Sequence, residues 1–260
     1  MSEPRIYDCV MLNDELDVLE MRLNELREKV WAHVIVEAPV THRGDPKPLY
    51  YAGDARRFRP FSERIVHIVA EGLGGAMEPW PREHAQRDQA RKAFAWTAHP
   101  DDLILIADVD ELPSDAALAW RGETAAALRQ RIFHSAVDWE YPQPQLTSVI
   151  ARWRHVVRRT LGEVRDSRNV LPVVENAGWH FAWIGDQRRR EEKLTRATCH
   201  LEMGVGEWEA IRSGATYERG EHYAADSRVR AVDVDETWPA WIRERKCPAD
   251  WYRPQEREAE

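Results

Sequence analysis

The sequence is most constrained at one junction, where an uninterrupted apolar run (residues 103–107) passes directly into the acidic residues Asp108, Asp110 and Glu111. Five consecutive apolar residues predict a strand that is buried on both faces. Because side chains two positions apart on an extended backbone point to the same side, the carboxylates of Asp108 and Asp110 are expected to converge. Such oxygen donors suit Mg²⁺ or Mn²⁺, which typically bind a couple of carboxylates together with substrate phosphates. The junction therefore predicts metal-dependent handling of a phosphorylated donor. The alternative is a solvated acidic turn that caps the next helix, and the preceding strand disfavours it.

Strand and helix patterns alternate through the first 130 residues, which predicts an α/β fold with a mostly parallel sheet and helices on both faces. In such sheets ligands bind beyond the carboxyl ends of the strands, so Asn13, Glu37 and Asp108 are expected to line one crevice. Beyond residue 130 the pattern weakens, and only two strands and one short helix are predicted. The predicted strands are Ile6–Leu12, 34–36, Ile65–Val69, 103–107, 133–137 and 146–150, and the predicted helices are 16–30, 81–98, 114–130 and 207–213.

Charge and cysteine content exclude several classes of protein. The net charge of −8 argues against a nucleic-acid-binding protein, which would carry a basic face. The three cysteines are odd in number and widely spaced, so they fit neither a disulfide framework nor a zinc cluster and indicate a reducing, cytoplasmic compartment. The N-terminus lacks the apolar core of a signal peptide, and no apolar run is long enough to span a bilayer. If the substrate is attached to a membrane, we expect the protein to approach it from the cytosol.

Several ordered blocks of the sequence are similar to those of one enzyme family. Each block alone is a weak signal, but together they keep their order across roughly residues 5 to 202. The chain thereby resembles the family 17 glycosyltransferases. The blocks are Asn13-Asp14-Glu15-Leu16, Val34-Ile35-Val36-Glu37, Gln86-Arg87-Asp88, Asp108-Val109-Asp110-Glu111-Leu112-Pro113, Gly178-Trp179-His180-Phe181 and His200-Leu201-Glu202.

The resemblance implies one GT-A type glycosyltransferase domain over residues 1–260. Its nucleotide-binding half would be residues 1–130 and its acceptor-side half residues 131–247, followed by a peripheral tail at residues 248–260. It also implies an inverting transfer from a UDP-sugar, with UDP-GlcNAc as the favoured donor, to a glycan or glycoconjugate acceptor.

The same resemblance implies a site for Mn²⁺ or Mg²⁺. Asp108 and Asp110 match the metal motif of the family, and His180 matches its Gly-Trp-His histidine. In GT-A enzymes a histidine late in the chain often completes the metal site, so His180 or His200 is expected to do so. A hydrogen-bonded structural histidine is the alternative for both.

Five residues are predicted to bind the nucleotide. Negative charge grows on the diphosphate as it leaves, and arginines bind phosphate with paired hydrogen bonds. Arg82 and Gln86 fall on one helical stripe, and Arg87 adjoins it in a block that resembles the family. Asn13 and Glu37 join them at the carboxyl ends of predicted strands. For the helical residues, a solvated helix face is the alternative.

Inversion requires a base within hydrogen-bonding distance of the acceptor hydroxyl. Glu111 completes the predicted catalytic set with Asp108 and Asp110, although a supporting contact to the metal ligands is its alternative role. The sequence leaves the base open among four carboxylates, Glu111, Glu175, Asp186 and Glu202.

Two segments depart from the family pattern, residues 138–150 and 185–188, so the resemblance does not identify the acceptor.

Two rival functions stay open. An apolar strand followed by Asp-x-Asp also opens haloacid-dehalogenase-type phosphohydrolases, in which the first aspartate is a nucleophile. That motif usually lies near the N-terminus, whereas here it follows residue 100. The second rival is a catalytically inactive protein that binds nucleotide sugars.

Overall fold

The computed structural model describes residues 3–185, 187–196 and 229–253, and it confirms an α/β fold. The strands are β1 Ile6–Leu12, β2 Ala32–Glu37, β3 Ile65–Val69, β4 Leu103–Asp108, β5 Glu111–Pro113, β6 Ala125–His134, β7 Trp139–Arg152, β8 Val173–Val174, β9 Gly178–Ala182 and β10 Arg230–Ala231. The α-helices are α1 Leu16–Leu26, α2 Tyr50–Gly53, α3 Pro79–Asp88, α4 Asp115–Leu118, α5 Trp153–Val156, α6 Leu161–Asp166, α7 Gln187–Arg196 and α8 Ala240–Arg243.

The chain forms two compact units. Unit 1 comprises Met1–Gln130 and Leu146–Gly178, and unit 2 comprises Arg131–Gln145 and Trp179–Glu260, as far as they are described. The first break follows Gln130, which is also the predicted boundary between the two halves of the chain. Residues 146–178, predicted to lie in the second half, cluster with unit 1.

The sheet of unit 1 is mixed. Strands β1 and β2, β2 and β3, and β1 and β4 pair in parallel, which brings the carboxyl ends of four strands to the same edge. Strand β7 pairs with β4 in the antiparallel direction, with Leu105 opposite Ile150. The prediction of a mostly parallel sheet therefore holds for β1–β4 but not for the sheet as a whole.

The predicted doubly buried strand is confirmed. All five apolar side chains of residues 103–107 are fully buried, and Ile104 and Ile106 pack in a core with Val34, Phe94 and Val149. In α1 the predicted apolar stripe is buried at Leu19, Leu23 and Leu26, although the helix ends at Leu26 and not at residue 30. Burial on both faces explains why β4 forms a strand at the centre of unit 1.

Two helix predictions need correction. The helix predicted for 81–98 is α3, which ends at Asp88 and tightens into a 3-10 turn over Gln89–Ala93. The helix predicted for 114–130 is limited to α4, because residues from Ala125 onward form strand β6. Gly122 lies between them, and the Ala-rich start of β6 is buried against neighbouring strands. Tertiary burial there outweighs the helix propensity of alanine.

Unit 2 has a core of its own. Phe133 of β6 packs against Phe181 of β9 and against Trp238, with ring centroids 5.5 and 4.8 Å apart. The strand predicted for 133–137 ends at His134, since the backbone turns at Ser135 with a φ of 66°. Trp251 is buried, and its carbonyl accepts a hydrogen bond from the backbone of Val137.

The buried Trp251 means that the first residues of the predicted peripheral tail are packed within unit 2. The strand predicted for 146–150 forms part of β7. The helix predicted for 207–213 lies outside the described residues. No helix in the described part of the chain is both long and apolar enough to cross a membrane.

Candidate functional site

Asp108 ends β4 at the edge where the parallel strands finish. Its side chain is 37% exposed, although the five residues before it are fully buried. Asp108 Oδ1 accepts a hydrogen bond from Arg87 Nη1 at 3.0 Å, and Oδ2 accepts one from Arg165 Nη2 at 2.7 Å. The aspartate predicted as a metal ligand is therefore a partly open carboxylate between two guanidinium groups.

Arg165 reaches this carboxylate from α6. The first turn of α6 is fixed by a capping box, in which Thr160 and Glu163 satisfy each other's backbone N–H groups. A second anchor comes from α3, because the Leu161 backbone N–H donates to Asp88 Oδ1 at 3.0 Å. Arg165 was not predicted from the sequence, where nothing in its local pattern distinguishes it from the neighbouring arginines.

Glu111 holds Arg165 more completely than Asp108 does. Arg165 Nη1 and Nη2 donate to the two Glu111 oxygens at 2.8 and 2.7 Å. Glu111 Oε2 also accepts from the Asp108 backbone N–H at 2.9 Å and from Ser148 Oγ at 2.7 Å. With a residue exposure of 2%, Glu111 has its carboxylate committed to the turn and to Arg165. This geometry supports the alternative supporting role and argues against Glu111 as the base.

Electrostatics keep Asp108 ionised. Burial by itself would raise the pKa of Asp108, and the nearby charge of Asp110 acts in the same direction. The guanidiniums of Arg165 and Arg87 outweigh both effects and hold the pKa of Asp108 well below its usual range. In turn, burial would lower the pKa of Arg165, but Asp108 and Glu111 raise it. Asp110 is itself buried, with 6% of the residue exposed.

A chain of charged groups leads away from Asp108 through α3. Arg87 Nη2 donates to Glu83 Oε1 at 2.9 Å, one helical turn earlier. Glu83 Oε2 lies 3.7 Å from His42 Nδ1, and burial lowers the pKa of His42. We use the name Asp108 cluster for Asp108, Arg87, Arg165, Glu111 and Glu83. Arg87 therefore contacts Asp108, and its role as a nucleotide ligand stays a prediction.

Arg82 and Gln86, predicted to bind the nucleotide with Arg87, are committed to the backbone. The Arg82 guanidinium is buried and donates to the carbonyls of four loop residues, His42, Leu73, Gly75 and Met77. Gln86 Nε2 donates to the Val36 carbonyl at 3.1 Å. Their place on one helical stripe is correct, but their polar groups fix the loops around the end of β2.

The acidic and amide residues at the other strand ends differ from Asp108. Glu37 is fully buried, and its carboxylate accepts hydrogen bonds from the backbone of Tyr51 and from His67 Nε2, at 2.7 and 3.0 Å. Asn13 is partly buried, and its backbone N–H donates to Glu15 Oε2. Of the three strand ends, that of β4 therefore presents the partly exposed ionic site.

A second carboxylate–arginine group lies beneath the acidic turn. Asp8 Oδ1 is 2.6 Å from Arg22 Nη2, and Asp8 Oδ2 is 2.9 Å from His33 Nδ1. We call these three residues the Asp8 cluster. Arg22 Nη1 also donates to the Glu111 carbonyl at 2.7 Å. The sequence signal for this cluster is a charged residue inside a buried strand and another on the apolar stripe of α1.

The Gly-Trp-His block contains a glycine with a clear steric role. Gly178 has a φ of 130°, and a Cβ there would lie 2.1 Å from the Leu112 carbonyl oxygen. His180 follows in β9 within unit 2, where it pairs with Ile132 of β6. Glu175, another candidate base, forms an ion pair with Arg129 at 3.0 Å. Asp186, His200 and Glu202 lie outside the described residues.

The described part of the chain contains no group of three or more His, Cys, Asp or Glu side chains arranged to hold a metal ion. Asp108 and Asp110 lie two positions apart where β4 turns into β5, so a cation held there would need further oxygens, such as those that substrate phosphates give to Mg²⁺ and Mn²⁺.

Comparison with known proteins identifies the family. The model of glycosyltransferase family 17 matches residues 1–193. The beta-1,4-mannosyl-glycoprotein 4-beta-N-acetylglucosaminyltransferases of Rattus norvegicus and Homo sapiens are each 26% identical to the chain over 117 residues. The aligned part covers 42% of this chain but only 22% of each of these relatives. Because the family model matches well over half of the chain, the chain belongs to glycosyltransferase family 17.

Proposed function

We propose that the protein is a metal-dependent, inverting glycosyltransferase with a GT-A type fold, which transfers a sugar from UDP to a glycan or glycoconjugate. The observation that carries the proposal is the Asp108 carboxylate, partly exposed at the end of β4 and flanked by Arg87 and Arg165. At such a site the carboxylate can bind a cation, and the two guanidinium groups can bind the diphosphate that accompanies it. Family membership disfavours the phosphohydrolase alternative, in which Asp108 would be a nucleophile.

UDP-GlcNAc is the proposed donor. The named relatives are N-acetylglucosaminyltransferases, and they support this sugar over others. The aligned part of the chain corresponds to about a fifth of their length, so the acceptor named for them, a mannosyl glycoprotein, is not transferred to this protein.

The residues present fit a divalent cation. Asp108 and Asp110 supply hard oxygen donors two positions apart, and Asp108 is accessible. When bound by them, Mn²⁺ or Mg²⁺ would act as a Lewis acid that stabilises the charge of the leaving diphosphate. We propose His200 as a further ligand, because the described residues contain no metal-binding group in which His180 joins the two aspartates.

The basic residues of the Asp108 cluster would stabilise the same leaving group. Arg87 and Arg165 are held by Glu83 and Glu111, so each guanidinium is oriented before the donor arrives. Preorganised cations of this kind stabilise developing negative charge without reorganisation during the reaction. Inversion would place the acceptor hydroxyl opposite the leaving group, next to a carboxylate base. With Glu111 engaged, Glu175, Asp186 and Glu202 are the candidates for that base.

Incubation with UDP-GlcNAc and Mn²⁺ tests the proposal, with released UDP measured in the presence of a panel of glycan acceptors. We expect acceptor-dependent release that is abolished in Asp108→Asn. Binding of UDP-GlcNAc without release for any acceptor would favour the inactive sugar-nucleotide-binding protein. Absence of both binding and release would contradict the proposal.

A further inference from the structure

We infer that Arg165 is a ligand of the donor diphosphate, held on Asp108 in the free protein and released from that carboxylate when a divalent cation binds there. This inference rests on the proposed function. It concerns one contact in the structure, the 2.7 Å ion pair between Arg165 Nη2 and Asp108 Oδ2.

The first step of the argument is that the two partners of Arg165 hold it unequally. Glu111 accepts from both terminal nitrogens of the guanidinium, and only 3% of its side chain is exposed. Asp108 accepts from one nitrogen, and 37% of its side chain is exposed. Paired, buried hydrogen bonds are the stronger and more directional ones. The contact with Asp108 is therefore the one that exchanges, while Glu111 keeps the guanidinium in place.

The second step concerns charge. A divalent cation on Asp108 would share that carboxylate with two guanidiniums, and like charges at such distances repel one another. Arg165 therefore competes with the cation as long as no anion is present. A diphosphate reverses this effect, because its oxygens accept hydrogen bonds from the guanidinium and also neutralise the added positive charge.

The third step is that α6 fixes the direction of the side chain. Its capping box and the contact between the Leu161 backbone and Asp88 anchor the helix on α3, which also carries Arg87. The Arg165 side chain is 12% exposed, and it lies beside the more exposed carboxylate of Asp108. A phosphate that reaches Asp108 through its counterion therefore arrives within reach of Arg165.

These steps predict opposite effects of one substitution on two affinities. In Arg165→Gln the affinity for Mn²⁺ alone should rise about threefold, the scale of an ion-pair contact at a partly exposed site. The affinity for UDP in saturating Mn²⁺ should fall about tenfold or more, as expected for lost hydrogen bonds to a charged group. A residue that merely supports the acidic turn would lower both affinities together.

Calorimetric titration of Mn²⁺ alone, and of UDP with saturating Mn²⁺, into the full chain measures both quantities. The matched control is Arg158→Gln, which removes the same charge from an exposed residue that precedes α6. We expect the control to behave like the wild type. Arg165→Lys, which keeps one charge, should retain Mn²⁺ affinity near that of the wild type and lose less UDP affinity than Arg165→Gln. Melting curves without ligand report whether each variant is folded. If Arg165→Gln does not fold, the two affinities of Arg165→Lys test the role of Arg165 instead.

The outcomes separate the two claims. If wild-type protein shows no Mn²⁺-dependent binding of UDP, the proposed function is wrong. If the wild type binds UDP with Mn²⁺ but Arg165→Gln matches Arg158→Gln, only the role of Arg165 is wrong. Parallel loss of both affinities in Arg165→Gln, or in Arg165→Lys when it must serve instead, would likewise contradict the inference.

Discussion

The Asp108 cluster and the Asp8 cluster use the same chemistry in two different environments. Each places a carboxylate against arginine, but Asp8, Arg22 and His33 are at most 1% exposed, whereas Asp108 has 37% of its side chain in contact with solvent. A buried ion pair without access to solvent is closed to a dissolved ligand, and removal of one partner leaves an uncompensated buried charge. A partly open one, with a strongly lowered pKa and a position at a strand end, is a candidate for ligand binding. Exposure, rather than residue type, distinguishes the two.

The two clusters are also connected. Arg22 donates to the Glu111 carbonyl, so the buried group supports the turn on which Asp108 and Asp110 lie. Burial by itself would raise the pKa of Asp8, but the charge of Arg22 and the hydrogen bond with His33 outweigh it and lower the pKa of Asp8. The Asp8 cluster should therefore determine stability, and the Asp108 cluster should determine activity. The following predictions test that division.

The largest effect is expected for activity in Asp108→Asn. Loss of the negative charge removes one of the two proposed carboxylate ligands of the metal, and we expect sugar transfer to fall by about 10³-fold or more, since metal-ion stabilisation is worth several kcal/mol. Released UDP measures this loss, and the unfolding free energy should change by less than about 1 kcal/mol because the ion pairs are partly exposed. Near-normal sugar transfer by Asp108→Asn would contradict the assignment of Asp108 as a metal ligand.

The opposite pattern is expected for Asp8→Asn. This substitution leaves the buried Arg22 guanidinium without its carboxylate, which should lower the unfolding free energy by about 3–5 kcal/mol. Urea unfolding followed by circular dichroism measures the change, with Asp108→Asn as the matched control. Transfer per folded molecule should stay within a few-fold of the wild type. A stability equal to that of Asp108→Asn would contradict the division between the clusters.

The dependence of the unfolding free energy on acidic pH should also differ between the two clusters. Both aspartates have lower pKa values in the folded protein than in the unfolded chain. Their contribution to stability is therefore fully present above the unfolded pKa of about 3.9 and is lost as the pH falls towards the folded value. Between about pH 4 and pH 2 the unfolding free energy should fall less steeply in Asp8→Asn than in the wild type. In Asp108→Asn the pH dependence of the unfolding free energy should differ less from that of the wild type, because solvent screens the ion pairs of Asp108. Equal slopes in wild type and Asp8→Asn would be inconsistent with a buried, ionised Asp8.

The smallest effect concerns the helix that carries Arg165. Thr160→Ala removes the cap of α6 and should cost about 1 kcal/mol of stability. Ser114→Ala removes the cap of α4 at a comparable cost and serves as the control. Only Thr160→Ala should weaken Mn²⁺-dependent UDP binding, by about twofold to fivefold, because α6 positions Arg165 and α4 does not. Equal UDP affinities in the two variants would show that the Thr160 cap does not contribute to UDP binding.

The fold was predictable where local pattern and burial agree. Strand Ile6–Leu12, strand Ile65–Val69 and the buried run before Asp108 were recovered because predominantly apolar residues and flanking turns mark them. The first residues of β6, 125–130, were predicted as part of a helix because the opening alanines favour helix locally, and one of the pairings that bury them, with β8, involves residues more than 40 positions away. Sequence pattern contains no information on that pairing.

The candidate site was predictable at its centre and not at its periphery. Asp108 and Asp110 follow directly from a strand end, and Arg87, predicted as a nucleotide ligand, contacts Asp108 in the structure. Arg82 was assigned to the nucleotide from its helical stripe, although its guanidinium is used by loop carbonyls. Arg165 could not be identified, because its position depends on the packing of α6 against α3, which no local pattern encodes.

The central claim is that the Asp108 carboxylate binds the donor through a divalent cation, and calorimetric titration of UDP tests it most directly. Wild-type protein and Asp108→Asn would each be titrated with Mn²⁺ and with EDTA, after melting curves have shown that both are folded. The account predicts binding only for the wild type in Mn²⁺, since the diphosphate would otherwise meet the carboxylates of Asp108 and Asp110. UDP binding of equal strength in EDTA, or equal binding by the folded Asp108→Asn variant, would contradict it.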